Sequence, residues 1–174
     1  IDVAFVLDPS NRPQFAARHG FVAPLARYAA FATATSPLVA GVRAKEADRE
    51  RLMPPSRAHG GDLEPLQAST FALVGEQMYI LTATLVQPDF GHAALTGRRA
   101  PIVVTALPIE DSFVQLFARR FLLNGLHLHT ADSRGEPGEA HVPMVSSSGE
   151  YLATIDWRPQ TPGADMLRKA GIPA

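Results

Sequence analysis

Cysteine is absent from the 174 residues, and with it go disulfides, thiolate metal sites and cysteine nucleophiles. The compartment stays open, because a chain of this size closes a core without covalent staples in an oxidising or a reducing milieu alike. An excess of charge of one sign is also missing. Sixteen basic and 17 acidic residues, formal net charge -1, are scattered along the chain and leave no electrostatic footprint for nucleic acid or an anionic membrane surface. Long hydrophobic runs are lacking too. The longest weakly charged stretch, Gly20 to Val42, is interrupted by Pro24, Arg27 and Pro37, whereas a spanning helix needs roughly 20 apolar residues. There is no repeat, no low-complexity tract, no Gly-x-Ser-x-Gly elbow and no phosphate-binding glycine loop. Neither an initiator Met nor a basic, apolar leader stands at the start, where Ile1 opens directly into a strand-like run, so the chain reads as a piece of a longer one.

What is present is 46% hydrophobic residues, enough for the core of one domain, taken here as residues 1–163. Asp2 to Asp8 is an apolar, β-branched run closed by Pro9-Ser10-Asn11, with Gln14 to Ala17 beyond it, the pattern of a hairpin. From Ala23 to Met53 the chain turns to Ala, Leu and Arg. Ser36-Pro37 looks like an N-cap followed by a first-turn proline, which predicts two helices joined near Thr35. In the second, Glu46 stands three residues from Arg43 and from Arg49, the spacing of a solvated charged face. Pro54-Pro55 ends it, and 54–65 is a loop.

Ser69 to Val74 and Met78 to Val86, separated by Gly75-Glu76-Gln77, predict a second hairpin. Ile102 to Leu107 is another β run. Glu110-Asp111-Ser112 then leads into FVQLFARRFLLNG, with Phe113, Leu116, Phe117 and Arg120-Phe121 on one largely apolar stripe and Asn124-Gly125 as the stop. Leu126 to Thr130, His141 to Ser146 and Tyr151 to Trp157 complete an antiparallel set, the last two joined by a turn at Ser147 to Glu150. The order β-β, α-α, β-β-β, α, β-β-β predicts an α+β domain, an antiparallel sheet with helices packed to one side. The tail from Ala164 to Ala174 reads as an exit segment.

Chemistry-bearing motifs are few. Gly60 to Glu64, GGDLE, resembles the GGDEF signature of diguanylate cyclases but lacks its closing Phe, and a loop is expected. His127 and His129 stand two apart in a strand and so share a face, with His141 on a neighbouring strand. The pair resembles a cupin's only in that spacing, no full ligand set follows, and no metal or other cofactor is expected. Ser146, Ser147 and Ser148 lie in a turn. The residues suited to orienting a small ligand are Tyr79, Thr82 and Thr84 on one strand, Thr105 on the next, Tyr28 and Arg27 on the first helical segment, and Arg98 and Arg99, which could hold a carboxylate.

Three segments together resemble the CHASE-type extracytoplasmic sensor domains, specifically the fourth subfamily. They are VAFVLDPSNRPQFAAR from Val3, APIVVTALPIEDSFVQLFARRFLLNGLHL from Ala100, and YLATIDWRPQTPGADML from Tyr151. The Trp157-x-Pro159-x-x-Pro162-Gly163 ending is the most specific. Family members carry a long helix with aromatic and acidic residues ahead of the first strand, and this chain has no counterpart of it. The resemblance implies a PAS-like fold shortened by that helix. It also implies a periplasmic position between two transmembrane helices of the parent protein, a small-molecule ligand, no catalytic activity in the domain itself, and output through cyclic di-GMP synthesis or hydrolysis (GGDEF/EAL domains) or a histidine kinase. Two alternatives stay open. One is a soluble enzyme using the histidines with Asp8, Asp132 or Asp156; the other is a dimerisation module with Ala23 to Met53 as its homodimer interface.

Overall fold

The computed structural model describes residues 2–52, 65–87, 99–129, 138–161 and 166. The chain divides into two compact units, 1–109 and 110–174, a division that nothing in the composition marks. The fold class is α+β. Among the described residues no helix is long and apolar enough to cross a membrane.

The first unit holds β1 (Val3–Leu7), β2 (Pro13–Arg18), the short β3 (Phe21–Val22), α1 (Tyr28–Leu52), β4 (Gln67–Val74), β5 (Gln77–Leu85) and β6 (Ile102–Pro108). Its sheet runs β3-β2-β1-β6-β5-β4 with antiparallel pairing throughout. The first and last long strands lie side by side at the centre, β1 flanked by its hairpin partner β2 and β6 by the β4–β5 hairpin, and the helix crosses between the two halves. This is a PAS-like arrangement. Both hairpins expected from the sequence form. In the second, Val74 pairs with Gln77, so the loop is only Gly75-Glu76. Gly75, at φ 63, supplies the left-handed first position that a two-residue hairpin loop of this twist demands.

Strand alternation decides what lies under α1. Val3, Phe5 and Leu7, then Ile102, Val104 and Ala106, then Leu81, Ala83 and Leu85 point to one face and are buried there. Phe31, Leu38, Val39 and Val42 of α1 pack onto them. Each large apolar side chain buried this way contributes about 1.5–3 kcal/mol.

Three expectations about the helices are corrected. The two helices predicted around Thr35 are one, Tyr28–Leu52, preceded by a 3-10 turn at Leu25–Arg27, and Pro37 sits inside it. Proline there removes one backbone donor. The turn before it is braced by Thr35, whose Oγ1 donates to the Phe31 carbonyl at 2.9 Å and also lies 3.1 Å from the Tyr28 hydroxyl.

The charged face at Arg43 and Glu46 is not solvated. Their side chains continue the buried stripe of positions 31, 35, 38, 39 and 42, and they are 6% and 7% exposed. Arg43 Nη1 donates to Glu46 Oε2 and to the Ala100 carbonyl, both at 2.7 Å, and Nε donates to Asn11 Oδ1 at 2.9 Å. Glu46 Oε1 accepts from the Ala100 amide at 2.7 Å. The pair thereby ties α1 to the β1–β2 turn and to the start of β6, where strand ends leave backbone groups without ladder partners.

The third correction concerns α2 (Asp111–Phe121) in the second unit. It stops not at Asn124-Gly125 but at Leu122, which takes the left-handed conformation at φ 55. Asn124 and Gly125 belong to β7 (Asn124–His129). Its pairing with β9 (Tyr151–Arg158) shifts register between Asn124 and His127, and Gly125, φ 62, has the backbone of a bulge glycine. With β8 (Ala140–Val145) the sheet order is β7-β9-β8, and the turn at Ser147 to Glu150 joins the last two strands as expected. Phe113, Phe117 and Phe121 do form one stripe, their rings 6.3 and 4.4 Å apart in succession. The GGDLE segment, Arg98, Asp132 and Pro162-Gly163 lie outside the described residues, as does all of the exit segment but Met166.

Candidate functional site

The side chains read from the sequence as ligand-orienting fall on two faces of the large sheet. Tyr28, the first residue of α1, and Tyr79 of β5 lie on the α1 side of the sheet, in a chain of ring contacts running Tyr28–Phe5–Phe31–Tyr79 with centroids 5.1, 5.4 and 5.3 Å apart. Both are partly buried and pack against the core there. Thr82 and Thr105 are cross-strand partners, and Thr84 lies two residues along from Thr82. All three alternate with the core residues of β5 and β6 and so face away from α1. Thr82 Oγ1 lies 2.9 Å from Ser69 Oγ on the same outer face. Arg99 is exposed ahead of β6, and Arg27 is exposed in the 3-10 turn. Tyr28 and Tyr79 are thus brought together on one side, the three threonines on the other, and Arg99 with neither.

A denser polar constellation occupies the small sheet. Asp156, on the central strand β9, pairs in register with His127 of β7 on one side and His141 of β8 on the other. The three therefore stand in one row on one face. In the next row His129 faces Thr154 and Thr154 faces Pro143. His129 Nε2 reaches diagonally to Asp156 Oδ2 at 2.8 Å, and the His127 and His129 rings are 6.2 Å apart. Asp156 is 2% exposed, and its Oδ1 is buried with no hydrogen-bond partner among the described residues. Thr154 Oγ1 is occupied by the Tyr151 hydroxyl at 2.8 Å. His127 and His129 share a face, as their spacing predicts. Among the described residues no three His, Asp or Glu side chains already converge as a metal site.

From the sequence Asp156 stands out only as one of three aspartates open to an enzyme. The signal that marks it is a lone Asp inside TIDW, which breaks the composition of a strand, where Asp is depleted. Asp8 has a different role. Its Oδ1 accepts from the Arg12 amide at 2.9 Å and the Ser10 amide at 2.8 Å, and Oδ2 from Gln14 Nε2 at 3.2 Å. The Arg12 amide above all, with those of Ser10 and Gln14, holds this carboxyl below its ordinary value against a smaller opposing effect of burial.

The second unit also contains a groove of about 530 Å³ between α2 and β7. Asp111, Gln115 and Arg119 line it from the helix, together with Val114 and Ala118; Leu126 and His127 line it from the strand. The helix residues repeat at three- and four-residue intervals and form one stripe, a different one from the phenylalanines. The groove joins residues of two elements through the Leu122 reversal, and no local motif announces it.

Comparison of the chain with protein-family models finds no match, and comparison with curated proteins finds none either.

Proposed function

We propose that this chain is the ligand-sensing input domain of a transmembrane signalling protein, positioned outside the cytoplasm and without catalytic activity of its own. The observation that carries the reading is the strand order of the first unit, β2-β1-β6-β5-β4 with the helix crossing between its halves, which is PAS-like. The likeness of the three sequence segments to the fourth CHASE subfamily supports the extracytoplasmic position and an output through cyclic di-GMP turnover or a histidine kinase.

The aromatic rings of Tyr28 and Tyr79 pack in the contact chain with Phe5 and Phe31, and the ligand is assigned to the groove between α2 and β7. Its volume is that of a small-molecule site, which runs about 300–1,000 Å³. Arg119 offers a guanidinium for a carboxylate, and the Val114, Ala118 and Leu126 side chains offer an apolar floor. Signalling then requires that the ligand favour one arrangement of the domain over another, because binding without such a preference shifts no equilibrium.

Thermal denaturation of the purified chain against organic acids and amino acids tests this. A ligand at about 100 times its dissociation constant stabilises by roughly 2.7 kcal/mol, and Arg119→Ala is expected to remove the shift. A carboxylate panel that leaves the transition unmoved, or a shift that survives Arg119→Ala, contradicts the groove. Reporter fusions on both sides of the segment in the parent protein test the membrane topology; a cytoplasmic signal from this segment contradicts the sensor reading itself.

A further inference from the structure

Three of the chain's six histidines stand on one face of the small sheet around a single buried carboxylate. We propose that Asp156 and His129, joined by His127 and His141, form a binding site for a divalent transition-metal ion, Zn2+ foremost. The inference does not rest on the sensing reading, although His127 also lines the groove.

Four observations carry it. Asp156 Oδ1 is buried and has no hydrogen-bond partner among the described residues. A buried charged oxygen left that way is costly, and among the ordinary explanations for such an atom is an ion that it binds. The donors are imidazoles and a carboxylate, the set that suits Zn2+ and its neighbours rather than Mg2+ or Ca2+.

The distances are close to what an ion needs. Metal bonds of about 2.0–2.2 Å in a tetrahedron separate two ligand atoms by roughly 3.3 Å. His129 Nε2 and Asp156 Oδ2 are 2.8 Å apart, so admitting an ion between them takes a displacement of about half an ångström, and a carboxylate that binds an ion through both oxygens engages Oδ1 as well. The ion would take the place of the proton on Nε2: a neutral ring carries that proton on Nδ1 instead, and an imidazolium releases one to solvent. Lastly, His127 and His141 are opposite Asp156 on its two flanking strands, where paired Cα atoms lie about 4.5–5.5 Å apart.

As they stand, the side chains bring only His129 and Asp156 into contact, and no three converge. The site is therefore assembled by the ion. Both His127 and His141 are exposed and free to turn about their side-chain bonds, while β9, paired on both edges, holds Asp156 in place.

The test is titration of the full chain with Co2+, followed by visible absorption, and with Zn2+, followed by calorimetry in two buffers of different ionisation enthalpy. Expected are the intense absorption of four-coordinate Co2+ and its displacement by Zn2+, with a saturable Zn2+ heat in both buffers. Asp156→Asn and His129→Ala should abolish these. Since Asp156→Asn alters a buried position and can impair folding, the deciding measurement is made on the double variant His127→Ala/His141→Ala at exposed positions, with native circular dichroism required. It should bind Zn2+ at least about tenfold more weakly, the lower range for perturbing a metal site. No Co2+ absorption and no Zn2+ heat at millimolar metal would overturn the proposal. So would an unchanged affinity in the double variant, which would show that His127 and His141 hold no ion.

Discussion

Arg43→Ala is the perturbation that most directly tests how α1 is fastened to the sheet. The wild-type guanidinium is 6% exposed and donates to Glu46, Asn11 and the carbonyls of Ala100 and Asp8. Alanine leaves the Glu46 carboxylate buried with the Ala100 amide as its remaining close donor. Removing one partner of a buried ion pair costs about 3–5 kcal/mol, chiefly because the survivor is left uncompensated. Glu46→Ala strands the opposite charge and should cost a similar amount. The double variant strands neither, so its cost should fall well short of the sum, with a coupling energy of up to about 3 kcal/mol, the range for residues in contact.

The assay is urea unfolding followed by far-UV circular dichroism, in which the 25 residues of α1 outweigh the 11 of α2. The midpoint should fall while the slope stays the same, the mark of lost stability rather than altered compactness. A loss under about 1 kcal/mol for Arg43→Ala would mean that the pair behaves as a surface salt bridge, and the burial reasoning would be refuted. Full additivity of the two single costs would refute it equally.

Four further outcomes are expected. Pro37→Ala should raise the stability of α1 by about 1–2 kcal/mol, since alanine restores a backbone donor at an exposed interior helical position and the lost restriction of the unfolded chain offsets part of the gain; a lower urea midpoint would count against it. Phe5→Ala, which empties the centre of the aromatic chain, should cost about 3–5 kcal/mol in the same assay, and a loss of under half that would mean the site collapses. Gly75→Ala places a side chain at φ 63 and should cost about 1–2 kcal/mol, read from the melting temperature. Asp8 has its folded-state pKa depressed below the ordinary value of 3.8, so its contribution is present above that pH and is lost as pH falls through the lower, folded-state value. Asp8→Asn should therefore flatten the acid limb of the stability curve below about pH 4; an unchanged limb would show that the turn does not hold the carboxylate.

Local signals were legible wherever they agreed with their surroundings. Asp8 to Asn11 and Gly75-Glu76 both punctuate β-branched runs with turn residues, and both hairpins form where those residues stand. The signals failed where two readings were locally equal. Ser36-Pro37 suits a helix start as well as it suits a strained interior, and what decides between them is Thr35 and Phe31 packing beneath a continuous α1. Asn124-Gly125 is a common helix stop, yet the register of β7 against β9 claims both residues and leaves the stop to Leu122. The charges at Arg43 and Glu46 have the spacing of a surface pair, and only the buried stripe that they extend shows them to be internal. Of the candidate site, the His127 and His129 face was legible from strand alternation; the pairing of both flanking strands on Asp156 was not, because register is set by the contacts of three strands at once.

The amino-acid sequence by itself determined the α+β class, the strand runs, the hairpin turns and the two-residue histidine spacing, because each depends on chemistry within a few positions. It also excluded disulfides and thiolate chemistry, since composition alone decides those. Tertiary structure decided the rest: the single helix through Pro37, the burial of Arg43 with Glu46, the separation of Tyr28 and Tyr79 from the three threonines, and the row of His127, Asp156 and His141. These depend on which distant segments share a face, and that follows from the pairing of whole strands and not from any residue's neighbours in the chain.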